Sequence, residues 1–84
     1  MKIQKTFSLT VFSPFKTYYE GSALLLTAEN KSGPFGILAE HANFLCLLSP
    51  GTLQIQAPEK NFELPVDKGI VQVVDGAAYV FVGI

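Results

Sequence analysis

Apolar and polar positions alternate along much of this chain. Phe7, Leu9 and Val11 are separated by Ser8 and Thr10, the period-two pattern of a strand with one buried face. Ser13-Pro14 closes that segment, because proline has no N–H to give to a sheet ladder. Thr17 to Glu20 is aromatic and β-prone, and Gly21 punctuates it. Ala23 to Ala28 is a continuous apolar run, as expected of a strand buried on both faces. Glu29-Asn30-Lys31-Ser32-Gly33 reads as a polar loop, and Phe35 to Leu38 as a short strand with Gly36 inside it, a sign of a bulge or a close backbone approach. Phe44 to Leu48 fits strand or helix by length alone, and the segment from Ala39 has some helical character.

The second half is more sharply punctuated. In Ser49-Pro50-Gly51-Thr52, proline and glycine occupy the central positions of a type II turn, so Phe44–Leu48 and the alternating Leu53-Gln54-Ile55-Gln56 are expected to form a hairpin. Pro58 to Asn61 is another turn. Phe62, Leu64 and Val66 alternate with Glu63 and Pro65, and the proline implies an edge strand. Asp67-Lys68-Gly69 turns the chain into the β-branched run Ile70 to Val74. Asp75-Gly76 is a favoured pair for a two-residue type I′ hairpin, which returns through Tyr79 to Val82. Gly36, Pro50, Gly51, Gly69, Asp75 and Gly76 are thus expected to be turn-determining residues.

Strands recur about every 8–12 residues, the signature of an all-β sandwich or barrel. We expect one domain over residues 1–84, a small antiparallel β-sandwich of about 8–10 short strands. No linker, repeat or amphipathic helix of three turns fits anywhere.

Composition adds a point about the surface. Charged residues are 15% and hydrophobic residues 49%. A typical domain carries about 25% charged residues. A small domain is mostly surface, so the deficit implies apolar area that a partner covers; the alternative is a compact monomer with Thr, Ser, Asn and Gln outside. Net charge is −1 and the six lysines are scattered, so the positive footprint of a nucleic-acid binder is missing. Cys46 is the one cysteine, which rules out an internal disulfide and fits a reducing compartment. The start, Met-Lys-Ile-Gln-Lys-Thr, lacks the apolar core of a signal peptide. Ala23–Leu26 and Phe44–Leu48 are far too short to span a bilayer. A soluble chain with no direct bilayer insertion is expected.

Candidate chemistry is sparse. His41 is the single histidine, and Glu40 beside it would point to the opposite face of an extended strand. No Gly-x-Ser-x-Gly elbow exists, and Cys46 lies in an apolar run where a thiol is usually buried and inert. One Cys and one His cannot make a four-ligand zinc site, and the seven carboxylates are dispersed. Lys68-Gly69 lacks the spaced glycines of a phosphate loop. No catalytic residue, metal or cofactor is expected. His41 is then either a loop histidine bonded to nearby backbone or a contact to a partner. Tyr18 and Tyr19 are either half-buried strand residues or interface anchors. Phe44 is most simply core.

The ordered motifs Phe7-x-Leu9-x-Val11-x-Ser13-Pro14, Tyr19-Glu20-Gly21, Gly33-x-x-Gly36-Ile37-Leu38-x-x-His41-Ala42, Leu48-x-Pro50-Gly51-x-Leu53-x-Ile55, Gly69-Ile70-Val71-x-Val73 and Val80-x-Val82 cover nearly the whole chain. In their order and spacing the chain resembles the N-terminal β-sandwich domain of the epsilon subunit of F-type ATP synthases. The resemblance implies a non-catalytic rotor part of the central stalk. It would pack on the gamma subunit and sit on the polar loops of the c-ring, coupling ion-driven rotation to the catalytic head during ATP synthesis. It implies a peripheral place at the cytoplasmic face of the inner (plasma) membrane. Carried over residue by residue, Glu29, Ser32, Gly33, Pro34, Phe35 and His41 would lie at the c-ring end.

Three departures stand out. Pro34 replaces a usual acidic residue, and Ala39-Glu40 replaces a usual Pro-Gly, so the local turn is expected to differ. The C-terminal helical hairpin of that family, which carries inhibitory and in some members nucleotide-binding functions, is missing, so neither is expected. The alternative is a stand-alone β-sandwich interaction module with no role in ATP synthesis. An enzyme would need chemistry that these residues do not offer.

Overall fold

In a computed structural model, residues 5–83 are described. Residues 1–4, which include Lys2 and most of the segment read above as lacking a signal core, lie outside the described residues, as does Ile84. The strands are β1 (Phe7–Phe12), β2 (Thr17–Ala23), β3 (Leu25–Asn30), β4 (Gly33–Ile37), β5 (Phe44–Leu48), β6 (Gly51–Gln56), β7 (Asn61–Val66), β8 (Gly69–Val74) and β9 (Ala77–Val82). They form two sheets packed face to face. The first has the order β2-β1-β9-β8-β5 and the second β4-β3-β6-β7. Neighbouring strands run antiparallel except β1 and β9, which pair in parallel from Ser8 opposite Ala77 to Phe12 opposite Phe81. The β-sandwich expected from the strand spacing is the architecture found.

Alternation decides which face is buried. Leu9 and Val11 of β1, Leu26 of β3, Ile37 of β4, Leu53 of β6, Val71 and Val73 of β8 and Val80 of β9 are almost fully buried between the sheets. Each contributes about 1.5–3 kcal/mol of transfer free energy. Among the described residues the interior holds no buried polar side chain, so no polar desolvation opposes this packing.

Several local expectations are corrected. Gly21 does not end its strand; β2 continues to Ala23, with Gly21 opposite Leu9. The run Ala23–Ala28 is not one strand: the chain changes sheet at Leu24, whose N–H donates to the Gln56 carbonyl. The polar loop 29–33 shrinks to Lys31-Ser32, because Glu29 and Asn30 remain paired with Pro34 and Gly33. No helix forms at 39–48 among the described residues.

The largest correction concerns Ser49-Pro50-Gly51-Thr52. β5 and β6 do not form a hairpin; β5 pairs with β8, and β6 pairs with β3 and β7. Gly51 is not in the left-handed region and is the first residue of β6, so Pro50-Gly51 is a crossing between sheets rather than a type II turn. Ser49 secures this crossing by donating its N–H to the Glu29 carbonyl at 2.9 Å. Gly36 and Gly69 likewise lie within strands without positive φ. Gly69 answers to close approach instead: a Cβ there would stand 2.6 Å from the Phe81 carbonyl oxygen.

Other signals match the geometry directly. Asp75 (φ 48°) and Gly76 (φ 82°) are both left-handed, as a type I′ turn requires, and Val74 pairs with Ala77 across it. β7, which carries Pro65, is an edge strand.

Candidate interaction surfaces

The residues singled out for a partner lie on the β3–β4 hairpin and in the loop that follows β4. Glu29 pairs with Pro34 and Asn30 with Gly33 across the β3–β4 hairpin, and Ser32 at its tip donates its N–H to the Asn30 side-chain oxygen at 2.8 Å. Gly33 has φ 112°, a conformation that favours glycine. Phe35 is half-buried and meets Phe44 of β5 edge-on, with ring centroids 5.9 Å apart. The His41 ring packs on the other side of this contact, 5.0 Å from Phe44. These residues do not share one end of the sandwich. The hairpin tip precedes β4 and His41 follows it, so they lie beyond opposite ends of this five-residue strand. Phe44 of β5 bridges Phe35 and His41.

The turn leading to His41 is built without Pro-Gly. His41 donates its N–H to the Leu38 carbonyl, and Glu40 takes φ 66° at the third position, where a type II turn favours glycine. Lys5 ties this residue down with an ion pair of 2.7 Å to its carboxylate. The hydrogen bond from Lys5, and then its charge, hold the Glu40 carboxyl below its ordinary pKa. The His41 ring is fixed locally, its Nδ1 donating to the Ala42 carbonyl at 2.8 Å. Asn43 accepts a hydrogen bond from the Asp75 N–H at 2.9 Å, which joins this loop to the β8–β9 turn.

A second surface was not legible in the sequence. Leu47, Ile70, Phe81 and Phe12 lie opposite one another on four successive strands of the first sheet. Their strand neighbours Val71, Val80 and Val11 point into the core, so this row faces out. The Phe12 and Phe81 rings lie 5.1 Å apart. Leu45 and Tyr79 flank the row, and Leu45 and Leu47 are 65% and 72% exposed. Phe15 stands beside it, almost wholly exposed, above a depression shared with Phe12 and Tyr79. The outer face of the second sheet differs: a cleft there is lined by Thr27, Gln54, Gln56, Asn61 and Glu63 together with Leu25, Ile55 and Phe62. Finding the apolar row needed the topology, because Phe44 to Leu48 is apolar at every position and its alternation is hidden.

The singled-out polar groups do not gather into a catalytic set. Cys46 is half-buried on β5, and no group of three potential metal ligands exists among the described residues. Tyr19 packs against the core with its ring edge-on to Phe62, while Tyr18 is exposed under the Lys16 ammonium. No helix among the described residues is long and apolar enough to cross a membrane.

Residues 6–83 match the family model described as ATP synthase, Delta/Epsilon chain, beta-sandwich domain. The chain belongs to this family. Curated relatives agree: it is 33% identical over 75 residues to the ATP synthase epsilon chain of Sulfurimonas denitrificans, covering 88% of this chain and 58% of that protein. It is 35% identical over 68 residues to the epsilon chain of Leptospira borgpetersenii, covering 81% and 54%. It therefore spans little more than half the length of these epsilon chains. The fold is shared with a chain of the Euglena gracilis mitochondrial ATP synthase solved as OSCP/F1/c-ring, with TM-score 0.86, 21% identity and coverage of 98% of this chain and 53% of that one. A chain of the Tetrahymena thermophila mitochondrial ATP synthase central stalk and c-ring superposes with TM-score 0.80 at 20% identity, covering 96% and 66%.

Proposed function

We propose that this epsilon-family sandwich is a non-catalytic subunit of the central stalk of an F-type ATP synthase. It packs on the gamma subunit and touches the polar loops of the c-ring, so that rotation of the ring is passed to gamma and the catalytic head. Its place is peripheral, at the cytoplasmic face of the inner membrane. The observation that carries the reading is the unequal division of apolar surface. One outer face bears the row Leu47, Ile70, Phe81 and Phe12, while the other bears Thr27, Gln54 and Glu63. Leucine and aromatic side chains at the centre of a face are what a lasting protein contact desolvates. That face is assigned to gamma.

The β4 edge is assigned to the c-ring. Glu29, Ser32, Gly33, Pro34, Phe35 and His41 offer it a margin in which half the side chains are polar, with Ser32 and His41 held by local hydrogen bonds. Pro34 keeps the edge from being extended as a sheet by removing one donor. Close-packed interiors transmit strain with little compression, so a dry sandwich can carry torque between its two contacts. The solved central-stalk and c-ring assemblies that contain this fold support the reading.

The test is co-purification with the cognate gamma subunit and c-ring. Wild-type chain should be retained by gamma, Leu47→Lys and Tyr79→Lys should each weaken retention at least tenfold, and Gln54→Lys on the opposite face should leave it unchanged. His41→Ala should lower retention by the c-ring without affecting gamma. A folded chain that binds no cognate gamma overturns the assignment in favour of a stand-alone interaction module.

A further inference from the structure

The second sheet is divided at one end. β3 pairs with β6 only from Leu25 to Thr27, although β3 runs on to Asn30 and β6 begins at Gly51. Beyond Thr27 each strand keeps one neighbour: Ala28 to Asn30 pair with β4 alone, and Gly51 to Leu53 with β7 alone. The Glu29 carboxylate stands in the wedge between them, against the place a Cβ on Gly51 would take. The split leaves residues 29–36 projecting as an arm. None of them is buried, whereas Ala28 and Ile37 on either side are.

Two ties hold this arm to the rest of the sandwich. The Ser49 N–H donates to the Glu29 carbonyl at 2.9 Å, the one backbone hydrogen bond outside the ladders that reaches residues 29–36 among the described residues. The Phe35 ring meets Phe44, with centroids 5.9 Å apart. Ser49 is a fixed point. Pro50 follows it and biases it toward extended backbone, and Leu48 before it is buried and paired with Gly69. Segments with few buried contacts open at lower free energy than the core, often as whole supersecondary units. From this we infer that residues 29–36 are a latched arm. The outer part of the β3–β4 hairpin opens as one unit, by release of Ser49 from Glu29, while both sheets otherwise stay folded.

The latch differs from the fraying of a free hairpin because its donor belongs to another part of the chain. Opening the arm must also release the amide of Ser49, half-buried at the crossing between the sheets. The outer end of the arm is Lys31-Ser32, with Pro34 beside it. Opening therefore moves this tip relative to the apolar row on the first sheet. The device belongs to the chain alone, so it stands or falls independently of the stalk assignment. Within a stalk it would let the tip yield while the opposite face keeps its contact.

Amide hydrogen exchange of the full chain, read residue by residue by NMR, tests this. The Ser49 amide should share the protection factor of the arm amides Asn30, Gly33 and Phe35, about a hundredfold or more below those of Val71 and Val80. Low urea should leave exchange of the arm and of Ser49 unchanged, since a local opening exposes little surface. Ser49→Pro, which removes the donor, should speed exchange across the arm about tenfold and leave Val80 as it was. Phe35→Ala cuts the other tie without touching the crossing, and should speed exchange at Ser49 by a similar factor. It decides the matter if Ser49→Pro does not fold. A Ser49 amide as protected as Val80 overturns the proposal. So does a Ser49 amide that ignores Phe35→Ala, or one that accelerates only together with Val80, the mark of global unfolding.

Discussion

Phe35 on β4 meets Phe44 on β5 with 87° between the ring planes, one edge of each sheet supplying a ring. The two strands share no ladder, so this contact helps close the side of the sandwich that hydrogen bonds leave open. His41 leans on the same Phe44 ring. Removing the ring should therefore loosen a seam and a loop together. Phe44→Ala is expected to cost about 2 kcal/mol, less than the roughly 3–5 kcal/mol of a fully buried phenylalanine because Phe44 is half-exposed. Urea denaturation checks the stability. Exchange of the His41 ring environment, seen as line broadening in NMR, checks the loop. A wild-type midpoint would contradict the role given to the seam.

Glycine positions in this chain separate by what a methyl group would meet. At Gly69 the obstacle is the Phe81 backbone carbonyl, 2.6 Å away, in the middle of the first sheet. Gly69→Ala should cost about 2 kcal/mol or more, since neither strand can yield without repacking. At Gly51 the obstacle is the Glu29 carboxylate, the free end of a flexible side chain. Gly51→Ala should cost less than about 1 kcal/mol, with Glu29 swinging aside. Paired thermal melts would show the order; Gly51→Ala as the more damaging change would refute it.

Glu40 is held at φ 66°, where a Cβ is disfavoured and glycine is not. Glu40→Gly should therefore raise the melting temperature at neutral pH. Comparing Lys5→Ala alone with Lys5→Ala plus Glu40→Gly separates the backbone gain from the lost ion pair. A lower midpoint for Glu40→Gly alone would show that the turn does not strain this residue.

The Lys5–Glu40 pair also sets a pH dependence. The Glu40 carboxyl titrates below its ordinary value near 4.5 when folded. A depressed acid adds stability above its unfolded pKa and loses it as pH falls through the folded one. The contribution of this pair should be constant at neutral pH and fade only below about pH 4.5. It is fully exposed, so salt should shrink it. NMR titration of Glu40 should show its pKa rising in Lys5→Ala; an unchanged midpoint would sever the link between the two residues.

The parts of the fold that reading the sequence captured are those decided by neighbours in the chain. Asp75-Gly76 can do little other than make a tight left-handed turn, and Pro65 confines its strand to an edge. The parts it missed depend on distant partners. Pro50-Gly51 has the local chemistry of a hairpin turn, yet β5 finds β8 because Leu48 and Val71 complete the core there, more than twenty positions away. The parallel contact of β1 with β9 joins the two ends of the chain, and no local signal announces it. Glu29 to Phe35 lie around the β3–β4 hairpin and His41 beyond the far end of β4, because spacing in sequence does not show which way β4 runs. The apolar row through Leu47 and Phe81 became visible only once four strands were set side by side.

The hydrogen bond from the Asp75 N–H to Asn43 has a further consequence. Asn43 lies two residues after His41, and Asp75 begins the return between two inner strands of the first sheet. A sideways push on the histidine loop has a short polar route to the strands bearing Ile70 and Phe81. That route bypasses the greasy interior, so a nudge at the rim and a shift on the broad flank can move as one piece.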